Sequence, residues 1–152
     1  MKLSTKGRYA LVALVDIAFH QDAGLVTMND LSKRQDISMP YLEQLFAKLR
    51  RRGLVISVRG PGGGYKLAKS PSKIRIYDVL SAVDESVDAL STGAGDKGGA
   101  SGTQAQFLSN KLWEGLSAHV YVFLHHTLLA DVIGDELIPC PAIPAIFEVE
   151  DA

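Results

Sequence analysis

The sequence predicts a mainly α-helical fold with one small β-hairpin. Three observations carry that prediction. Long stretches place apolar residues at helical spacing, the period changes to β-branched alternation after Gly53, and a glycine-rich tip separates two short strand-like runs. The 152 residues are 47% apolar and 22% charged. That suits one domain, or one domain plus an appendage, and is too apolar for a chain disordered throughout.

From Ser4 or Thr5 to His20 the chain reads as a helix with apolar residues on almost every side: Tyr9, Leu11, Val12, Leu14, Val15, Ile17 and Phe19. Burial all round is the expectation, in part by a partner chain. Asp22-Ala23-Gly24 reads as its exit turn. Thr27 is an N-cap with Asp30 three residues on, an acidic capping box opening a short helix to about Gln35. Asp36-Ile37 makes a tight connection. Ser38 is a second N-cap, Pro40 fits the first turn where its missing N–H costs nothing, and Gly53 stops the helix. Tyr41, Leu42, Leu45, Phe46 and Leu49 fall on its core face.

Leu54 to Val58 and Tyr65 to Ala68 then read as strands, with Arg59-Gly60-Pro61-Gly62-Gly63-Gly64 as their hairpin tip. Ile76 to about Glu85 is a short helix with Leu80 and Val83 inward. Composition shifts over 90–102, where five glycines and almost nothing to bury predict a flexible loop. A long helix follows from about Gln104 to Thr127. Leu108, Leu112, Leu116, Val120 and Phe123 trace one stripe along it, flanked by Trp113, read as core, and Leu124. So wide a stripe needs a partner, which predicts a dimerisation helix. Thr127 to Ile133 reads as a last helical turn or two. From Pro139 onward three prolines in six residues precede Glu148, Glu150 and Asp151, a tail expected to be extended and mobile. The chain thus divides into 1–88, 89–103, 104–137 and 138–152.

The net charge of −1 conceals an asymmetry. Residues 1–75 hold 14 Lys/Arg against 5 Asp/Glu, whereas residues 76–152 hold 2 against 12. A basic half joined to an acidic half points to a polyanion-binding module carrying a differently employed segment; the plainer alternative is a solvated surface sorted by chance. No run approaches the length of a membrane span. The start, MKLSTKGRY, is followed by no signal-peptide pattern, so a cytoplasmic location is expected. The single cysteine, Cys140, excludes an intramolecular disulfide framework and a tetrathiolate site within one chain.

Two short helices joined by a tight turn, the second ending in Lys48-Leu49-Arg50-Arg51-Arg52, followed by a basic glycine-tipped hairpin, describe a winged helix-turn-helix. On DNA, the second helix would fit the major groove, with Ser38, Met39, Tyr41 and Glu43 toward base edges and Pro40 and Gln44 beside them. Glu43 can accept from a cytosine amino group and repels most alternatives, which makes it a specificity element. Lys2, Lys6, Arg8, Lys33, Arg34, Lys48, Arg50 and Arg51 suit phosphates, and Thr27 and Tyr65 complete the candidate surface. Gly60, Gly62 and Gly63 leave the tip slim enough for Arg59 to enter a minor groove. The tip lacks the strand-to-helix context and Gly-Lys-Ser/Thr ending of a P-loop, and no acid–base or nucleophilic set recommends an enzyme.

The blocks Lys2 to Ala10, Ile37-Ser38 with Tyr41 to Phe46, Gly53 to Tyr65, and Val79 to Val87 closely resemble the iron–sulfur cluster regulator (IscR-like) branch of the Rrf-type winged-helix transcription factors. The resemblance spans residues 1 to about 90 and resumes from Leu112-Trp113 to Leu129. It implies a homodimer built on the long helix, binding two half-sites of double-stranded DNA and regulating, as a repressor or dual regulator, cluster-assembly or iron-responsive genes.

The resemblance also implies a cluster loop of three cysteines and a histidine, and here the sequence departs from it. The cysteine positions carry Thr92 or Ala94, Ala100, and Ala105 or Phe107, and the histidine position carries Asn110. None is a thiolate or imidazole ligand. Three readings accommodate this: a cluster-free natural member, including a thiol- or redox-responsive one; a two-iron two-sulfur cluster on an atypical set drawn from Cys140, His20, His119, His125, His126 or carboxylates; or an engineered cluster-free form. The competing class is a protein-interaction module whose basic half docks an acidic partner.

Overall fold

The computed structural model describes residues 4–85, 103–134 and 137. The expectations for 90–102 and for the tail from Pro139, Cys140 included, lie outside them.

The order of elements is α1 (Thr5–His20), α2 (Met28–Gln35), α3 (Met39–Arg51), β1 (Val55–Val58), β2 (Gly64–Leu67), α4 (Ile76–Ala82), α5 (Gln104–His126) and α6 (Leu129–Ile133), with short 3₁₀ turns at Gln21–Ala23 and Pro71–Lys73. This matches the expected mainly helical class with one hairpin. The strands pair antiparallel, Val55 opposite Leu67 and Val58 opposite Gly64. Val26 extends the hairpin by one bridge, exchanging both backbone hydrogen bonds with Tyr65 at 3.0 and 2.7 Å.

One core holds α1 to α4 together. Ala10, Ala13, Leu14 and Ile17 of α1 meet Leu31 of α2, Leu42, Leu45, Phe46 and Leu49 of α3, and Ile76, Val79 and Leu80 of α4. The expected all-round burial of α1 is not met in the single chain. Val12 is exposed and Phe19 is 61% exposed, because only one side of the helix faces the core. The helix is instead buried where its small residues allow close approach. A Cβ on Gly7 would stand 3.0 Å from Leu80 Cδ2 and 3.2 Å from Glu85 Cγ.

Helix α4 stops at Ala82, earlier than expected, and Asp84 turns the chain with φ 57°. Helix α5 buries none of its residues. Its C-terminal end is tied to the domain: Ile76 N donates to Thr127 O at 3.0 Å, Leu129 N donates to Ile74 O at 2.8 Å, and the Leu129 side chain is fully buried. Trp113, expected in the core, is 42% exposed: α5 meets α4 through Tyr121 and His125, nearer its C-terminal end, and its residues before that are largely exposed.

Candidate nucleic-acid interface

The helix-turn-helix is fixed by short-range chemistry. Thr27 Oγ1 accepts from Asp30 N at 3.1 Å and Asp30 Oδ2 accepts from Thr27 N at 3.2 Å, which closes the expected capping box and holds the Asp30 carboxyl below its usual range. Asp36 ends α2 in the left-handed region at φ 53°. Ser32 Oγ then donates to Ile37 O at 2.7 Å and Ile37 is buried, so the turn cannot widen. Ser38 takes the N-cap position of α3 with extended backbone, but its hydroxyl makes no cap hydrogen bond. Pro40 in the first turn leaves that end with one donor fewer to satisfy.

Helix α3 buries Leu42, Leu45, Phe46 and Leu49, so Met39, Glu43 and Arg50 follow one another as an exposed row along its flank, with Pro40, Gln44 and Arg51 exposed on the side opposite the core. Tyr41 is half-buried, its ring edge-on to Tyr9 at 5.6 Å. The wing is tied to α3 by Arg50 Nη1, 3.4 Å from Ser57 Oγ, and by Tyr65, whose ring meets Phe46 at 4.8 Å. At the tip Gly60 and Gly62 take φ 100° and 72°, and Gly63 N donates to Gly60 O at 2.9 Å. Arg59 stands exposed at its start.

The structure brings the exposed face of α3, the wing tip and the start of α1, where Arg8 is exposed and Lys6 half-buried, into one domain. Lys2 lies outside the described residues. Two cations expected on phosphates are engaged within the chain. Arg34 is bound to the buried Asp16 of α1, because an ionised carboxylate inside the domain needs a charged partner. Lys48 Nζ lies 2.6 Å from Asp84 Oδ2. A third charged residue, Glu85, reaches back to the start of α1. Its Oε1 accepts from Ser4 N at 3.1 Å, its Oε2 accepts from Gly7 N at 3.3 Å and from the Ser4 hydroxyl, so it caps α1 across the fold. No local signal marks it; Ser4 caps nothing with its own side chain, and that missing cap becomes visible only in three dimensions.

The model of the Rrf2 family, described as an iron-dependent transcriptional regulator, matches residues 3–135. The chain belongs to the Rrf2 family. It is similar to the HTH-type transcriptional regulator IscR of Cereibacter sphaeroides, 65% identical over 153 residues covering 99% of both chains. To IscR of Escherichia coli it is 48% identical over 136 residues, 90% of this chain and 82% of that one. The solved structure of T. potens IscR superposes with a TM-score of 0.70 at 36% identity, covering 90% of this chain and 88% of that chain. As an Rrf2 protein of the IscR type the chain is a DNA-binding transcriptional regulator and not an enzyme. No helix among the described residues is long and apolar enough to cross a membrane.

The family's iron–sulfur ligand positions do not fit such a group in this Rrf2 chain. Among the described residues they are Ala105 or Phe107, and Asn110, on the first turns of α5; Thr92, Ala94 and Ala100 lie outside. No cluster of three His, Cys, Asp or Glu able to hold a metal exists among the described residues. Among the described residues the histidine candidates do not converge on one site. His125 stacks at 4.0 Å from both Tyr77 and Tyr121, the exposed His126 contacts Val122 O at 2.8 Å through Nδ1, and His20 sits 2.8 Å from Asp16 O. His119 is exposed further along α5.

Proposed function

We propose that two copies of this chain pair through α5 and seat two α3 helices in successive major grooves of a pseudo-palindromic operator, about 34 Å apart. On this reading residues 1–88 form the DNA-binding unit, 89–103 a connecting loop, 104–137 the pairing unit and 138–152 a tail of the cytoplasmic protein. Binding represses genes of iron–sulfur cluster assembly and iron response, in keeping with the family's description and with relatives named IscR. The supporting observation is the exposed α3 face, Met39, Glu43 and Arg50, standing beside a slim wing tip that carries the exposed Arg59.

Phosphate contacts from Lys6, Arg8, Lys33, Arg50 and Arg51 fix register, and Glu43 with Gln44 discriminates bases. The test is a fluorescence titration of the full chain with labelled random-sequence duplex, followed by sequence variants of a selected site. Binding to random duplex at low salt, falling linearly in log–log form as salt rises, is expected. Arg59→Ala weakens all sequences alike, while Glu43→Ala relaxes preference at one base pair. A flat salt response overturns the reading and favours docking of an acidic protein, whereas equal losses across every variant for Glu43→Ala overturn the specificity role of Glu43 alone.

A cluster on this chain takes at most one thiolate per protomer, since Cys140 is the only cysteine. His119, His125, His126 and carboxylates are its remaining candidate ligands. An absorption spectrum of protein purified without oxygen, repeated on Cys140→Ala, decides whether that set is used.

A further inference from the structure

We propose that Asp84 is a built-in competitor for DNA phosphate, which holds the Lys48 ammonium until a duplex displaces it. The proposal rests on the DNA-binding reading above and adds to it a residue that limits affinity. Lys48 lies in the last turn of α3, beside Arg50 and Arg51. Its Nζ sits 2.6 Å from Asp84 Oδ2, with the Lys48 side chain 37% and the Asp84 side chain 66% exposed, so a phosphate oxygen can reach the pair. The charges of Lys6 and Arg52 also bear on this carboxylate, which therefore collects cations from the start of α1, from α3 and from its C-cap.

A carboxylate and a phosphate make the same demand on an ammonium, an oxygen anion at hydrogen-bonding distance. Asp84 cannot simply follow Lys48 onto the duplex. Its backbone is fixed in the left-handed region, where Asp and Asn are tolerated better than other side chains, and its N–H donates to Ser81 O at 3.2 Å. Glu85, the next residue, is anchored to the backbone of Ser4 and Gly7. Binding thus exchanges one ion pair for another. An exposed pair is weak enough to exchange readily, and the penalty is the same for every sequence, because phosphate contacts carry no base information. Asp84 accordingly lowers background binding and leaves Glu43 discrimination untouched.

The experiment uses the full chain, a labelled random-sequence duplex and a salt series, on wild type, Asp84→Asn, Lys48→Met and the double variant. Asp84→Asn keeps size and left-handed tolerance; Asp84→Gly takes the same backbone and serves as its second form. Asp84→Asn is expected to tighten binding about two- to five-fold at low salt and to steepen the salt slope by up to about one. In the Lys48→Met background the same change has little effect. If wild type binds and neither Asp84 variant binds tighter, the proposal fails. Equal tightening with and without Lys48 also overturns it, because the effect is then that of net charge alone. A wild-type chain that binds no duplex at any salt overturns the DNA-binding reading itself and removes the competitor with it.

Discussion

Arg34 closes on Asp16 with two nitrogens, Nε 3.0 Å from Oδ2 and Nη2 2.6 Å from Oδ1, and thereby latches the end of α2 to the middle of α1. Gln35 Nε2 adds a third donor at 2.7 Å and His20 Nδ1 lies 3.4 Å from Oδ1. Burial raises the Asp16 pKa, but the hydrogen bonds from Arg34 and Gln35, with the Arg34 and His20 charges, outweigh it and hold the carboxyl below its ordinary value. The same pair raises Arg34.

Arg34→Leu leaves that carboxylate buried with only Gln35 and His20. A loss of about 2–4 kcal/mol is expected in urea unfolding, near what an orphaned buried charge costs. The salt slope of DNA binding should not change. Intact stability with a shallower slope would return Arg34 to the phosphate contacts.

Gly63 is required by space rather than by backbone angle. A Cβ there would stand 2.3 Å from Val58 O and 2.8 Å from Gly60 O, both backbone atoms of the same tip. Gly63→Ala must open the hairpin, at an expected cost of about 1–3 kcal/mol. Because Arg59 sits at the start of that tip, duplex binding should weaken with it. Amide spectra should show the change confined to the wing and its neighbours; an unperturbed wing would mean that the tip absorbs the methyl group.

How far the sequence could be read follows from the range of each interaction. The Thr27 box, the Asp36 turn, Pro40 in the first turn, Gly53 and the hairpin tip all act within a few residues, and each stands where local chemistry puts it. Arg34, Lys48 and Glu85 were illegible for the opposite reason. Their partners are 18, 36 and up to 81 residues away, and a cation beside a basic run looks the same whether it meets a phosphate or a carboxylate. Trp113 departs from the expectation because large aromatic residues are usually buried, while it lies on the largely exposed stretch of α5 before the Tyr121 and His125 contacts with α4.

Acid should unfold the protein over a narrow window. For Glu85, burial raises the pKa, but the Ser4 hydroxyl, the N–H groups of Ser4 and Gly7 and the Lys6 charge bring it below its ordinary value of 4.5. Asp16 likewise lies below 3.8. A carboxyl depressed in the folded state contributes stability above its unfolded pKa and loses it as pH falls through the folded one. Urea midpoints should therefore be insensitive to these groups above about pH 5 and fall steeply below about pH 4. Glu85→Gln should flatten part of that fall and leave the Asp16 part. A decline beginning near neutrality would instead implicate histidine.

The stripe on α5 supplies the last test. Leu112 is 64% exposed, and Leu108, Leu116 and Phe123 are exposed with it along one helix, an apolar patch of a kind that soluble chains rarely leave uncovered. If a second copy covers it, Leu112→Glu places a charge in an apolar contact and separates the chains without touching the core of α1 to α4, since Leu112 is exposed and the α5 residue packed against that core is Leu124. Sedimentation should give a two-chain mass for wild type and a one-chain mass for the variant, with an unchanged unfolding midpoint for the N-terminal domain. Operator binding should fall about 100- to 10,000-fold, because the second half-site is then no longer engaged at high effective concentration. Random-duplex binding per chain should persist, as each α3 and wing remain intact. A one-chain mass for wild type, or a two-chain mass for Leu112→Glu, rules out pairing through this stripe.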